Sequence, residues 1–194
     1  MFGIGKNGKA GRQNSGSGRP WSASLQDGCA LTMNRYLKLI SGDKPLVLAP
    51  NDGEQTLAQA TDIFRYIDRN FVHWNCDTGG RATNETPVQV YEMAKDATFQ
   101  EMFRGFGLAV SRLALSQAQI KQFLKRYPDW LKKGGFGTFF LFKAADQFFV
   151  AAVYLFSDGR FGVRVRRFAL ERVFRAEKRH RVVIRISRRL TGER

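Results

Sequence analysis

The chain has 194 residues, 43% of them apolar and 17 of them Phe, enough for one real hydrophobic core and too apolar for a wholly disordered polypeptide. Its 32 Lys and Arg against 17 Asp and Glu give a formal charge of +15, so the first partners to consider are polyanions: nucleic acid, ribosomal RNA or an anionic membrane surface. Two cysteines argue against a disulfide framework and fit a reducing compartment.

Residues 1–20, MFGIGKNGKAGRQNSGSGRP, are rich in Gly, Ser, Asn and cations. They hold too little apolar surface to offset the entropy of ordering, so residues 1–30 are expected to be a flexible basic leader. No apolar run follows its cations, as a signal peptide would require. The longest apolar run, residues 148–156, falls well short of the roughly 20 residues of a membrane helix. A cytoplasmic protein with no transmembrane segment is expected. Behind the leader, residues 31–194 read as a single α+β domain. A helical part over about 51–133 is expected to pack on an antiparallel sheet of about four strands over about 136–188.

In chain order, residues 45–50 suggest a short edge strand between two prolines. Asn51 with Glu54 looks like a helix cap, and Leu57, Ala60, Phe64, Ile67 and Phe71 then recur at helical spacing. Thr86 followed by Pro87 looks like a cap and first-turn proline opening a helix to about Lys95. Thr98 with Glu101, and Ser116 with Gln119, have the spacing of capping boxes. Ser116 opens the best helix signal, with Ile120, Phe123, Leu124, Tyr127 and Leu131 on one face and Lys121, Lys125 and Lys132 on another. Pro128 should bend or restart that helix, and Gly134 and Gly135 should end it.

From Phe136 the period changes to two. The runs FGTFFLFKA, QFFVAAVYLF, RFGVRVRRF and RVVIRIS read as four strands. Their joins fall near Ala145 and Asp146, at Asp158 and Gly159, and along ALERVFRAEKRH. Asp-Gly favours a two-residue turn, which would set Tyr154 opposite Val163 and Ala152 opposite Val165. That register makes residues 148–156 an interior strand and puts Arg160, Arg164 and Arg166 on one face of the next strand. In the last run Arg181 and Arg185 share a face. If the two strands lie close together, the five arginines form one basic strip.

Charge is concentrated in the same region, with 19 basic against 6 acidic residues over 116–194. Arginine suits phosphate because its planar fork donates paired hydrogen bonds and is weakly hydrated. The expected binding residues are therefore Arg160, Arg164, Arg166, Arg181 and Arg185, extended by Lys121, Lys125 and Lys132.

Other motifs are weaker. GIGKNG matches a phosphate-loop spacing at Gly3, Gly5 and Gly8 but lacks the strand before it and the helix after it. His73 and Cys76 have the spacing of two metal ligands, short of the four a structural zinc site needs. No cofactor or metal is expected. The run KKGGFGTFFLF shares its cation, Gly and aromatic residues with the strand signature of RNA-recognition motifs. Gly134 and Thr138 break that pattern, so its phenylalanines read as core. The leading expectation is a nonenzymatic nucleic-acid-binding or ribonucleoprotein-associated protein, RNA ahead of DNA, recognising phosphates more than bases. The alternatives are a module docking on an acidic protein and an enzyme acting on an anionic substrate through His73, Cys76 or His180.

Overall fold

The computed structural model describes residues 33–186, so the expected leader lies outside the described residues. One mixed sheet of eight strands dominates: β1 (Leu37–Leu39), β2 (Leu46–Leu48), β3 (Phe64–Ile67), β4 (Thr86–Met93), β5 (Gly137–Ala144), β6 (Gln147–Leu155), β7 (Phe161–Arg167) and β8 (Arg181–Arg185). The order across it is β1-β4-β8-β5-β6-β7-β3, with β2 also on β4. β3 runs parallel to β7 and β5 parallel to β8, and the other pairs are antiparallel. The helices are α1 (Asn70–His73), α2 (Phe99–Arg104), α3 (Val110–Leu113) and α4 (Gln117–Arg126); only α4 exceeds six residues.

This overturns the expectation of a helical N-terminal half on a four-stranded antiparallel sheet. Both misread segments have a physical reason. In β3, Phe64 pairs with Phe161, Tyr66 with Gly162 and Ile67 with Val163, so the chain bulges at Arg65. A bulge inserts one residue and brings i and i+3 to the same side of a strand. Phe64 and Ile67 therefore face one core as they would on a helix. Leu57, Ala60 and Phe71 join them from turns and from α1. In β4, Val88 and Val90 enter one core and Tyr91 and Met93 the other. A strand buried on both sides needs an apolar, β-branched run, and Thr86-Pro87 is simply its start.

Local signals fared better. Thr98 and Glu101 exchange capping hydrogen bonds at 2.8 and 3.3 Å, as do Ser116 and Gln119 at 2.9 and 3.2 Å. A 3₁₀ turn, Pro128–Trp130, follows α4, and Gly134 and Gly135 both take positive φ. The edge strand expected over 45–50 is β2.

The sheet has a core on each side. On the α4 side, Ile120, Phe123 and Leu124 pack on Val88, Phe140, Ala151, Val163 and Val183. On the α2 side, Phe99, Met102 and Phe103 pack with Phe139, Leu141, Val150, Ala152 and Val182. The chain changes sides over residues 114–116: Leu113 belongs to the second core and Leu115 to the first. There the Leu115 amide donates to the Leu141 carbonyl, just past the β5–β8 pairing that ends at Phe140 and Val183. Buried Gln117 ties the turns to α4. Its Oε1 accepts from the Leu57 amide at 3.0 Å, and its Nε2 donates to the Cys76 and Thr78 carbonyls at 2.8 and 3.0 Å.

The two hairpin turns are the reverse of what Asp-Gly suggested. Between β5 and β6, Ala144 pairs with Gln147 across Ala145 and Asp146, both at positive φ, the type I′ pattern. An alanine is unfavourable there, because its Cβ crowds the following carbonyl. Ala145→Asn should raise stability by about 0.5–1 kcal/mol, measured by chemical denaturation. Between β6 and β7 the loop takes three residues, 157–159, with Gly159 at φ 77° and Leu155 opposite Phe161. That three-residue loop shifts the register by one. Arg164 now sits opposite Ala152 and Arg166 opposite Val150, on the α2 side.

Candidate functional site

The slip decides the fate of the expected strip. Arg181 and Arg185 flank Val183 on the α4 side, opposite Thr138 and Val88, whereas Arg164 and Arg166 lie on the α2 side. β8 and β7 are also separated by β5 and β6, about 14 Å of sheet. The five arginines do not share a face.

Lys121 and Lys125 lie on α4 and belong to neither arginine group, whereas Lys132 falls beyond the helix, next to the turn that Arg181 holds. Lys125 and Lys121 both clasp Asp62, at 2.9 and 3.2 Å, and hold its carboxyl below the usual range. Lys132 sits 3.7 Å from Glu92, which Arg179 also grips at 2.6 Å. Arg181 donates to the Asp129 and Leu131 carbonyls at 3.3 and 3.2 Å, bracing the 3₁₀ turn against β8. Arg185 is exposed at the far end of β8.

On the α2 side, Arg164 and Arg166 form one wall of a cleft of about 270 Å³. The opposite wall is the 168–180 connection, which the sequence marked only as a link. Two backbone hydrogen bonds of 2.9 and 3.1 Å pin Phe174 to Ala97 just before α2. The Asp96 carboxylate accepts from the Ala176 amide at 2.7 Å and from Arg175 at 3.3 Å. Thus strapped down, the connection contributes Arg172, Phe174, Lys178 and His180 to the cleft. The remaining lining is aromatic and apolar: Phe99, Phe136, Phe139, Ala152 and Tyr154.

Four cations therefore meet over an aromatic floor that no Asp or Glu lines. Arg166 is half-buried and engaged with Asp68 at 3.4 Å and the Val165 carbonyl at 3.1 Å. Lys178 reaches its neighbour Glu177 at 3.2 Å. Arg164 and Arg172 have no carboxylate in ion-pair range among the described residues, and both lie over rings: Arg164 over Tyr66 and Tyr154 at 5.8 and 5.7 Å, Arg172 over Phe174 at 5.5 Å. A guanidinium on a ring keeps its planar face occupied and its N–H edge free, the edge that pairs with a phosphate. Arg160 stands further along the same side, with Arg65, on Asp158.

His180 is buried among Phe139, Phe174 and Phe136, stacked on Phe139 at 4.9 Å. Its Nδ1 faces both polar groups of Gly137: it accepts from the amide at 3.0 Å when unprotonated and donates to the carbonyl at 3.3 Å when protonated. Burial pushes its pKa below the usual imidazole range, opposed by the Gly137 carbonyl, which accepts from the protonated Nδ1, and helped by Lys132, Arg172 and Lys178. In the unfolded chain an ordinary imidazole takes up its proton first as pH falls. His180 thus contributes stability that is complete above about pH 6.5 and is lost as pH drops toward its folded value. Denaturation midpoints should fall between about pH 7 and pH 5, and His180→Gln should flatten that dependence.

The catalytic alternative gains nothing from the geometry. Cys76 lies in the α4-side core, where burial pushes its thiol up to about 11, leaving it protonated at neutral pH. His73 is exposed at the end of α1, and His180 is on the other side of the sheet. No group of three or more His, Cys, Asp or Glu among the described residues is placed to hold a metal ion. No described helix is long and apolar enough to cross a membrane.

Of the eight expected binding residues, the cleft uses Arg164 and Arg166, with Arg160 nearby. It adds Arg172, Lys178, Tyr154, Phe136, Phe174 and His180. No protein-family model, curated protein or solved structure matches this chain.

Proposed function

We propose that this protein binds single-stranded nucleic acid, RNA ahead of DNA, in the α2-side cleft. The observation that carries this reading is the cleft itself: Arg164, Arg166, Arg172 and Lys178 around an aromatic floor with no lining carboxylate. Phosphate affinity and ring stacking together suit single strands, whose bases are free to splay onto aromatic side chains. A double helix would offer phosphates alone to so concave a surface. RNA loops and ends supply such bases most often, and a cytoplasmic location fits a chain with two cysteines.

The test is a fluorescence-anisotropy titration with labelled single-stranded RNA, the same DNA sequence, and duplex competitors. Single-stranded RNA should bind tightest, and its affinity should fall steeply between about 50 and 200 mM salt as counterions are released. Absence of binding to any nucleic acid at the lower salt would overturn the reading. So would co-purification of an acidic protein in a complex that survives nuclease.

A further inference from the structure

The cleft does not end at Tyr154. That ring and Arg164 also line an adjoining open groove, with Tyr66, Phe156, Gly162 and Arg65. Tyr66 and Phe156 are among the few large apolar side chains left exposed among the described residues, at 46% and 39%. Tyr66 stands opposite Gly162 in the sheet, and a Cβ at Gly162 would come within 2.8 Å of the Phe156 ring. The missing side chain is what lets that ring lie down on the sheet. Arg164 lies where the cleft and the groove meet, with its guanidinium within 6 Å of both the Tyr154 and Tyr66 rings. At the groove's outer end, Arg65 and Arg160 share Asp158.

We propose that the site is built for two consecutive nucleotides. One base enters the cleft beside Tyr154 and His180, the next stacks in the groove on Tyr66 and Phe156, and Arg164 holds the phosphate that joins them. This rests on the nucleic-acid reading and gives it a minimum site size. Arg164 is suited to the linking phosphate because it is exposed, flanked by rings and free of a carboxylate among the described residues. Arg166, tied to Asp68, stays with the cleft alone.

Isothermal titration with 5′-UMP, the dinucleotide pUpU and an octauridylate tests it on the full chain. Wild type should gain about tenfold or more from mononucleotide to dinucleotide, since a stacked base contributes on that scale. Tyr66→Ala, an exposed position, should remove most of that gain and weaken 5′-UMP binding far less. Gly162→Ala, which pushes the Phe156 ring off the sheet, should do the same in smaller measure. If the octauridylate binds wild type and Tyr66→Ala equally well, the two-nucleotide site is wrong while the nucleic-acid reading stands. If it binds neither at low salt, the reading itself has failed.

Discussion

The Arg164→Ala, Arg172→Ala double variant is expected to bind single-stranded RNA about 10- to 30-fold more weakly than wild type. The slope of log affinity against log salt should also become shallower by about 1.4, the counterions of two phosphate contacts on a single strand. Both side chains are exposed and lie over rings, with no carboxylate partner among the described residues, so their removal breaks no ion pair there. The fitting control removes equal charge from the opposite side of the sheet. Lys125→Ala with Arg185→Ala lowers the net charge by the same amount, yet should cost less than about threefold, from the long-range field alone. If the two double variants lose equal affinity, the protein binds through its overall charge and the cleft is not the site.

Phe139→Ala should be the costliest single change for the cleft. The ring is fully buried and meets Phe99 and Phe174 at 5.0 Å and His180 at 4.9 Å, so it supports the floor and the 168–180 wall at once. Truncating a buried phenylalanine costs about 3–5 kcal/mol, through lost transfer energy and the cavity left behind. The next residue supplies the comparison. Phe140 is equally buried but points to the α4 side, against Phe123 at 5.4 Å. Phe140→Ala should lower the unfolding midpoint by a similar amount while leaving the cleft intact. At a temperature where both variants are folded, only Phe139→Ala should weaken RNA binding. Equal binding losses would mean that the effect is one of general stability.

What could be read in advance was local. The two capping boxes form as their spacing demands, because their hydrogen bonds close within four residues and need nothing from the rest of the fold. The strands from Gly137 onward were legible for a similar reason: long alternating runs have few other ways to bury both faces. The failures arose where long-range pairing changed a local pattern. The bulge at Arg65 let a strand imitate helical spacing, and partners on both edges of β4 turned an apparent helix start into the start of a central strand. A single extra loop residue at Gly159 moved Arg164 and Arg166 to the other side of the sheet.

The site was half legible for the same reason. Arginine at alternate positions did mark one wall. The other wall depends on Ala97 and Asp96 holding residues 174–176, contacts across about 80 positions of chain that no local pattern announces. Lys121, Lys125 and Lys132 looked like free charge because their acidic partners, Asp62 and Glu92, lie far away in sequence. A basic composition thus divides into cations that brace the fold and a smaller set left facing one cleft.

Photo-crosslinking with a short single-stranded RNA carrying 4-thiouridine, followed by mass-spectrometric mapping, tests most directly that this cleft is where nucleic acid binds. Adducts are predicted at Tyr154, Phe136 or Tyr66 and along residues 160–178. Adducts confined to α4 and to the strand bearing Arg181 and Arg185 would contradict it.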